Sequence, residues 1–272
     1  LCGAVTQGQG HETVFKQIVS DKLGIHPDEI HYLQGDTDQV FFGEGTGGSR
    51  TSALGGTVVT LATEKVFGKA KKIAAHMLQV EDVDYADGVF TNRQTNRSLS
   101  MKEVARASLN PTNLPEGMEV GLIASAVYAN DLMNYPNGSH VCELEIDEET
   151  GVVEILRYNV VDDVGTVLNP LLLKGQIHGG ISQGVGQMLM EDLTYDAESG
   201  ELLAGSFMDY AMPKADHFCP IDVVSNPVPT KSNPLGVKGA GEAGCVGALP
   251  AVANALADAL SVYGIRDVPM PA

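Results

Sequence analysis

Cysteine is scarce in this 272-residue chain, and the four present, Cys2, Cys142, Cys219 and Cys245, are widely spaced with no CxxC pair. That spacing argues against a zinc ribbon or an iron–sulfur cluster held by this chain, and so few thiols make no disulfide framework. A reducing cytoplasm is the expected compartment. Basic residues are also few: 17 Lys and Arg against 35 Asp and Glu leave a net charge of −18. This argues against nucleic acid or an anionic membrane surface as partner, because both are bound by basic patches. No run approaches the ~18 apolar residues of a membrane span. The chain also lacks an initiator Met, opening on Leu1-Cys2-Gly3 and entering motif-like sequence at once, so it reads as a fragment of something longer or a processed subunit. A mean hydropathy of 0.00 with 43% hydrophobic residues is ordinary globular composition, and the length suits one large domain or two small ones.

What is in excess is glycine, 31 residues, or about 11% against a usual ~7%. No collagen period or low-complexity tract accounts for it, so the cause is local. The spacing predicts helices over His11–Leu23, Ser49–Leu78, Met101–Leu109, Leu171–Met190 and Val246–Tyr263. Strands are expected at Ile30–Leu33, Val120–Tyr128, Val141–Ile146, Val152–Val161 and Ile221–Val224, with hairpins at Asp87-Gly88, at Asp147–Gly151 and around Ser199-Gly200. Helices mixed with antiparallel hairpins make an α+β fold, and the Asn-, Pro- and Gly-rich stretch Asn130–Ser139 divides it into sub-lobes 1–129 and 140–272. The Leu171–Met190 helix carries five glycines at up to ~1 kcal/mol each, so it must pack very closely or approach a ligand.

Most remaining glycines fall in four segments: Gly8-Gln9-Gly10-His11, Gly43–Thr51, Gly175-Gln176-Ile177-His178-Gly179-Gly180 and Lys238-Gly239-Ala240-Gly241-Glu242-Ala243-Gly244. Three of them end at a helix N-terminus, where unpaired N–H groups and the positive end of the helix dipole suit an anion. Together they point to one extended anionic ligand. Two formally match G-x-G-x-x-G, but neither follows the long buried strand a nicotinamide site needs, and neither ends in GK[ST]. Taken singly, each feature has a plainer reading: turns before helices, His11 as a helix-start residue, His178 as a packed histidine, and Glu242 as a carboxylate complementing its helix dipole. The small residues around Glu242 also suit a general base in a closed pocket.

In chain order, Gly8-Gln9-Gly10-His11-Glu12-Thr13, Gly35-Asp36-Thr37-Asp38, Gly45-Thr46-Gly47-Gly48-Ser49-Arg50, Asp163-Val164-Gly165, Gly175–Gly180, Phe207–Pro213 and Asn233–Glu242 resemble the C-terminal part of the molybdenum-binding large subunit of the xanthine dehydrogenase / aldehyde oxidase / carbon monoxide dehydrogenase family. The resemblance covers essentially the whole chain and implies a molybdopterin cytosine dinucleotide cofactor carrying molybdenum. The metal is held by the pterin dithiolene, so no protein ligands to it are expected. By motif, Gly8, Gln9, Gly10 and His11 would contact the pterin side. Gly47, Gly48, Ser49, Arg50, Thr51 and Ser52 would bind the phosphate side, and Gln176, Lys238, Gly239 and Gly241 would complete the set. Glu242 stands at the family's active-site glutamate, where it would accept a proton during hydroxylation of an aldehyde, an N-heterocycle or a related small substrate. Two electrons would leave through iron–sulfur clusters to FAD, carried by an iron–sulfur subunit and a flavin subunit. The family's large subunit is much longer, so the upstream half of the molybdenum domain would have to come from another chain or from residues beyond these. A cofactor-free structural or interaction subunit of such a complex is the competing expectation.

Overall fold

A computed structural model describes residues 1–129 and 132–272; the expected boundary at 130–139 begins on residues outside that set. The chain divides into two compact units, Leu1–Leu132 with Asn233–Leu235, and Met133–Ser232 with Gly236–Ala272.

The first unit is built on α1 (His11–Leu23) and α2 (Thr51–Leu78). α1 buries Val14, Phe15 and Leu23 and stops at Gly24, whose φ of 53° is left-handed and readily adopted by glycine. Phe15 meets α2 where side chains are missing: a Cβ on Gly55 would lie 3.0 Å from its ring. Further along α2, Ala70, Ile73, Ala74 and Leu78 join Phe90, Met101 and Val104 in a core. Phe90 belongs to an antiparallel sheet of β1 (Asp84–Ala86), β2 (Val89–Thr91) and β3 (Ser98–Ser100). The helix α3 (Met101–Ala107) follows, started by a capping box between Ser100 and Glu103.

Two expected strands do not form. Ile30–Leu33 makes only a local turn bond, Ile30 N donating to Pro27 O at 3.1 Å, and one to a distant segment, Leu33 O accepting from Cys2 N at 2.9 Å. Val120–Tyr128 runs irregularly past Gly121 (φ 87°). Instead of pairing with a strand, its Ile123 and Ser125 carbonyls accept from Lys69 Nζ and Lys65 Nζ of α2, at 2.9 and 2.7 Å. Those lysine bonds satisfy the backbone groups a ladder would otherwise use.

The second unit is a three-stranded sheet faced by two helices. β4 (Asn137–Ile146) and β5 (Val153–Asp163) form the predicted hairpin with a bulge at Glu143/Leu144. β6 (Ile221–Ser225) lies parallel to β5, after α4 (Pro170–Leu189). Ile155, Tyr158 and Val160 pack with Ile177, Ile181, Val185 and Met188 of α4 and with Ala248, Val252 and Leu256 of α5 (Ala243–Leu260). The hairpin expected in Glu191–Leu203 reduces to a single bridge, Tyr195 with Leu202, around a turn organised by Asp196. The mixed helices and strands are α+β. The expectation about apolar runs needs correcting. Ala243–Tyr263, α5 with its 3-10 extension, is long and apolar enough to cross a membrane by length and composition, at a mean hydropathy of 1.5. Its alanine-rich sequence reaches that value with few bulky side chains, and its inward residues Ala248, Val252 and Leu256 are core.

The glycines of α4 differ in their surroundings: Gly186 backs onto the Glu191 and Pro213 side chains, and the other four separate into two kinds. A Cβ on Gly180 would lie 2.8 Å from Cys245 N and 2.9 Å from Gly244 Cα, and one on Gly184 would lie 2.7 Å from Ala248 Cβ. At Gly175 and Gly179 the same atom would meet nothing within 4 Å. Close helix contact explains the first pair, and an open face remains at the second.

Candidate functional site

In the first unit the predicted residues gather at two helix N-termini. Gly8 and Gly10 have φ of 109° and 78°, and Gly10 is the N-cap of α1 without a side-chain cap. The Gln9 side chain is held locally: its Oε1 accepts from Thr6 Oγ1 at 3.2 Å and from Gln7 N, and its Nε2 donates to Gln7 Oε1 at 2.8 Å. His11 is 6% exposed, lies against the Phe15 ring, and has no hydrogen-bond partner on Nδ1. Burial lowers its pKa, so the neutral ring is favoured.

The loop before α2 is the most distinctive backbone in the molecule. Gly45, Gly48 and the non-glycine Ser49 have φ of 72°, 62° and 52°. A Cβ placed on Gly45, Gly47 or Gly48 would meet nothing within 4 Å. The loop presents bare main chain beside a helix start with no acid in its first turn and no side-chain cap. Arg50 Nη2 lies 3.4 Å from Glu44, and Thr51 Oγ1 donates to Thr46 Oγ1 at 3.2 Å. Gly47, Arg50 and Thr51 also line a pocket of about 170 Å³ with Cys2, Phe42 and Tyr128. Gly3 and Gly43 cross there with main chains in contact, since a Cβ on Gly43 would lie 2.2 Å from Gly3 O and one on Gly3 would lie 2.2 Å from Phe42 O and 2.5 Å from Gly43 Cα. Gly8, Gln9 and Gly10 do not line this pocket, and Ser52, half-buried in the first turn of α2, is also outside it. Sequence reasoning missed Cys2, Phe42 and Tyr128. The signal available was Gly3 and Gly43, two glycines with no turn to explain them.

In the second unit, Gln176 sits half-buried on α4 between the open positions Gly175 and Gly179. His178, on the same helix, has no hydrogen-bond partner on its buried Nε2. The Lys238–Glu242 segment leads into α5. Gly239 is buried, while Gly241 and Glu242 are exposed, with Glu242 at the N-cap. Among the described residues none walls off Glu242, because the small neighbours that leave its carboxylate unshielded also build no wall. Lys238 is 11% exposed at its side chain and ion-paired with Asp163 at 2.5 Å. Among the described residues no group of three His, Cys, Asp or Glu could hold a metal ion.

The local geometry fits a phosphate-bearing pterin nucleotide on three counts. The space over Gly45, Gly47 and Gly48 is open, the α2 terminus has free N–H groups, and buried His11 Nδ1 lacks a protein partner.

Residues 1–218 match the molybdopterin cofactor-binding domain family. Over 272 residues the chain is 37% identical to the carbon monoxide dehydrogenase large chain of Afipia carboxidovorans, covering 99% of this chain and 33% of that protein. It is 37% identical over 262 residues to subunit gamma of the 6-hydroxypseudooxynicotine dehydrogenase complex of Paenarthrobacter nicotinovorans, covering 95% and 33%. The solved quinoline 2-oxidoreductase of Pseudomonas putida 86 superposes with a TM-score of 0.87 at 31% identity, over 97% of this chain and 34% of that one. The chain thus spans about a third of the length of the curated relatives it matches.

Proposed function

The chain belongs to the molybdopterin cofactor-binding domain family and corresponds to the C-terminal part of a molybdenum-hydroxylase large subunit, and from that premise we propose that it binds molybdopterin cytosine dinucleotide and supplies the catalytic base of a hydroxylating oxidoreductase. The observation that carries the reading is the loop before α2. Gly45, Gly47 and Gly48 there have open space where side chains would be, beside a helix start whose donors suit a diphosphate. Gly47, Gly48, Ser49, Arg50, Thr51 and Ser52 hold the phosphate side. Gly8, Gln9, Gly10 and His11 hold the pterin side, with Gln176 and the main chain of Lys238, Gly239 and Gly241.

The bound cofactor supplies transfer of a water-derived oxygen to an electron-poor carbon, with acceptance of two electrons. Overall, substrate C–H and water become C–OH, two protons and two electrons, and with carbon monoxide, which has no C–H bond, that molecule and water become carbon dioxide, two protons and two electrons. Glu242 takes one of those protons on its carboxylate. Glu242 stands at the N-cap of α5, at the end of the Lys238–Glu242 segment. Because Glu242 is exposed here, the walls that exclude water around it come from polypeptide other than this chain. The remaining length of the relatives gives room for such a partner segment. The substrate is a small aldehyde, N-heterocycle or related molecule, the electrons pass to iron–sulfur and flavin subunits, and the complex works in the cytoplasm.

Metal and nucleotide analysis tests this directly. One equivalent each of molybdenum and CMP released on denaturing the purified complex is expected. Absence of both would refute the reading and leave a cofactor-free structural subunit. Glu242→Gln should keep both equivalents and lose at least ~10³-fold in dye reduction with benzaldehyde, quinoline or carbon monoxide as donor. Turnover near that of the parent enzyme would remove Glu242 from the chemistry.

A further inference from the structure

Between Asp163 and Glu242 the second unit has an arrangement that ligand binding does not account for. Asp163 ends β5, and its carboxylate is fully used. Oδ1 accepts from Gly165 N at 2.8 Å and from Val228 N at 2.9 Å, and Oδ2 accepts from Lys238 Nζ at 2.5 Å. Both side chains of the ion pair are largely shielded, 11% exposed for Lys238 and 13% for Asp163. The main chain around them is interlocked. Lys238 N donates to Val164 O at 2.8 Å, and Thr166 N donates to Gly236 O at 2.9 Å. A Cβ on Gly165 would lie 2.2 Å from that same Gly236 oxygen. One largely shielded carboxylate therefore fastens the end of β5, the 226–228 loop and the first residue of the segment that carries Glu242.

We infer that Asp163 and Lys238 are positioning residues for Glu242: their ion pair fixes the start of the Lys238–Glu242 segment, and through it the placement of the proton-accepting carboxylate. The physical need is clear from the composition of the segment. Between Lys238 and Glu242 stand only Gly239, Ala240 and Gly241, and glycines lose the most conformational freedom when fixed. Glu242 is the N-cap of α5, so its main chain is set by α5 on one side and by the anchored Lys238 on the other. The side chain of Lys238 is thereby committed within the protein, and only its main chain remains for the cofactor.

This inference rests on the reading of Glu242 as the base. The test uses the assembled enzyme carrying Asp163→Asn, Lys238→Met, Lys238→Arg or Glu242→Gln in this chain. Molybdenum and CMP content, kcat and KM with benzaldehyde, quinoline or carbon monoxide, and amide hydrogen exchange of peptides spanning Gly236–Val246 are measured for each. Asp163→Asn and Lys238→Met are expected to retain both equivalents of cofactor and to keep KM within about twofold. kcat should fall ten- to a hundredfold, and the Gly236–Val246 amides should exchange at least tenfold faster. Lys238→Arg, which preserves the pair, should recover most of kcat and of the protection. If Asp163→Asn does not fold, the Lys238→Met and Lys238→Arg pair decides the matter alone. Parental kcat and exchange in Lys238→Met overturn the inference while leaving the base in place, provided Glu242→Gln is inactive. Loss of cofactor in step with kcat overturns it in favour of a ligand role for Lys238. Normal turnover in Glu242→Gln overturns both the base and its positioning.

Discussion

Gly179 and Gly180 are consecutive residues in the middle of α4, yet alanine at the two positions should act in opposite directions. In a helix interior glycine costs up to ~1 kcal/mol relative to alanine. At Gly179 the new methyl meets nothing within 4 Å, so Gly179→Ala should stabilise the chain by about 0.5–1 kcal/mol. At Gly180 the methyl would lie 2.8 Å from Cys245 N, 2.9 Å from Gly244 Cα and 3.1 Å from Gly244 C. All three are backbone atoms of α5, which no rotamer change can move. Carbon contacts settle at about 3.5–4.0 Å, so α4 and α5 must separate by roughly 0.5–1 Å. Such overpacking costs ~1–3 kcal/mol, with backbone contacts at the upper end. Subtracting the propensity gain leaves Gly180→Ala destabilised by about 1–2 kcal/mol. The two variants should then differ by about 2–3 kcal/mol. Urea unfolding of the 272-residue chain, followed by far-ultraviolet circular dichroism with a common slope, measures that difference. If Gly180→Ala were as stable as Gly179→Ala, α4 and α5 would not be in backbone contact, and the explanation of the glycine-rich helix would fail.

Further expectations concern the polar interior and the acid limit. Burial raises the Asp163 carboxyl, but Lys238 and the Val228 and Gly165 amides outweigh it and hold the pKa down at about 2 against an ordinary 3.8. A depressed carboxyl stabilises above its unfolded pKa, so this contribution, about 2 kcal/mol at neutral pH, is lost as pH falls from about 4 to about 2. Acid titration of unfolding free energy should show a shallower loss over that window in Asp163→Asn. Tyr158, 2% exposed, shares a 2.9 Å hydrogen bond with His140 Nδ1. Tyr158→Phe leaves a buried ring nitrogen unpaired and should cost about 1–3 kcal/mol in urea unfolding; an unchanged midpoint would show that water reaches His140. Phe90, fully buried between Phe67 and Tyr85, should cost ~3–5 kcal/mol on Phe90→Ala, and a smaller loss would mean that the first unit's core collapses into the space.

Much of this protein could be read from local sequence. α1, α2, α3, α4 and the β4–β5 hairpin follow from apolar spacing, from caps such as Gly24 and the Ser100/Glu103 box, and from the Asp147–Gly151 turn, because those signals act within a few residues. The family was legible as well, since its motifs are short strings whose backbone demands only glycine can meet. The positive φ at Gly8, Gly10, Gly45 and Gly48 is the physical form of that demand. What the sequence could not settle depends on neighbours far along the chain. Ile30–Leu33 and Val120–Tyr128 alternate like strands but find no strand to pair with, and lysines of α2 take the carbonyls of the second. The glycines of α4 look alike in sequence, and only their tertiary neighbours, α5 at Gly180 and Gly184 and the Glu191 and Pro213 side chains at Gly186, separate those that are packed from those that are open. Glu242 reads as enclosed when its small neighbours are considered and stands exposed when the fold is seen, because enclosure is a property of surrounding chain. Lys238 shows the same division. Its place in a motif is sequence, but the partner that claims its charge, Asp163, lies 75 residues away, and tertiary structure alone brings the two together.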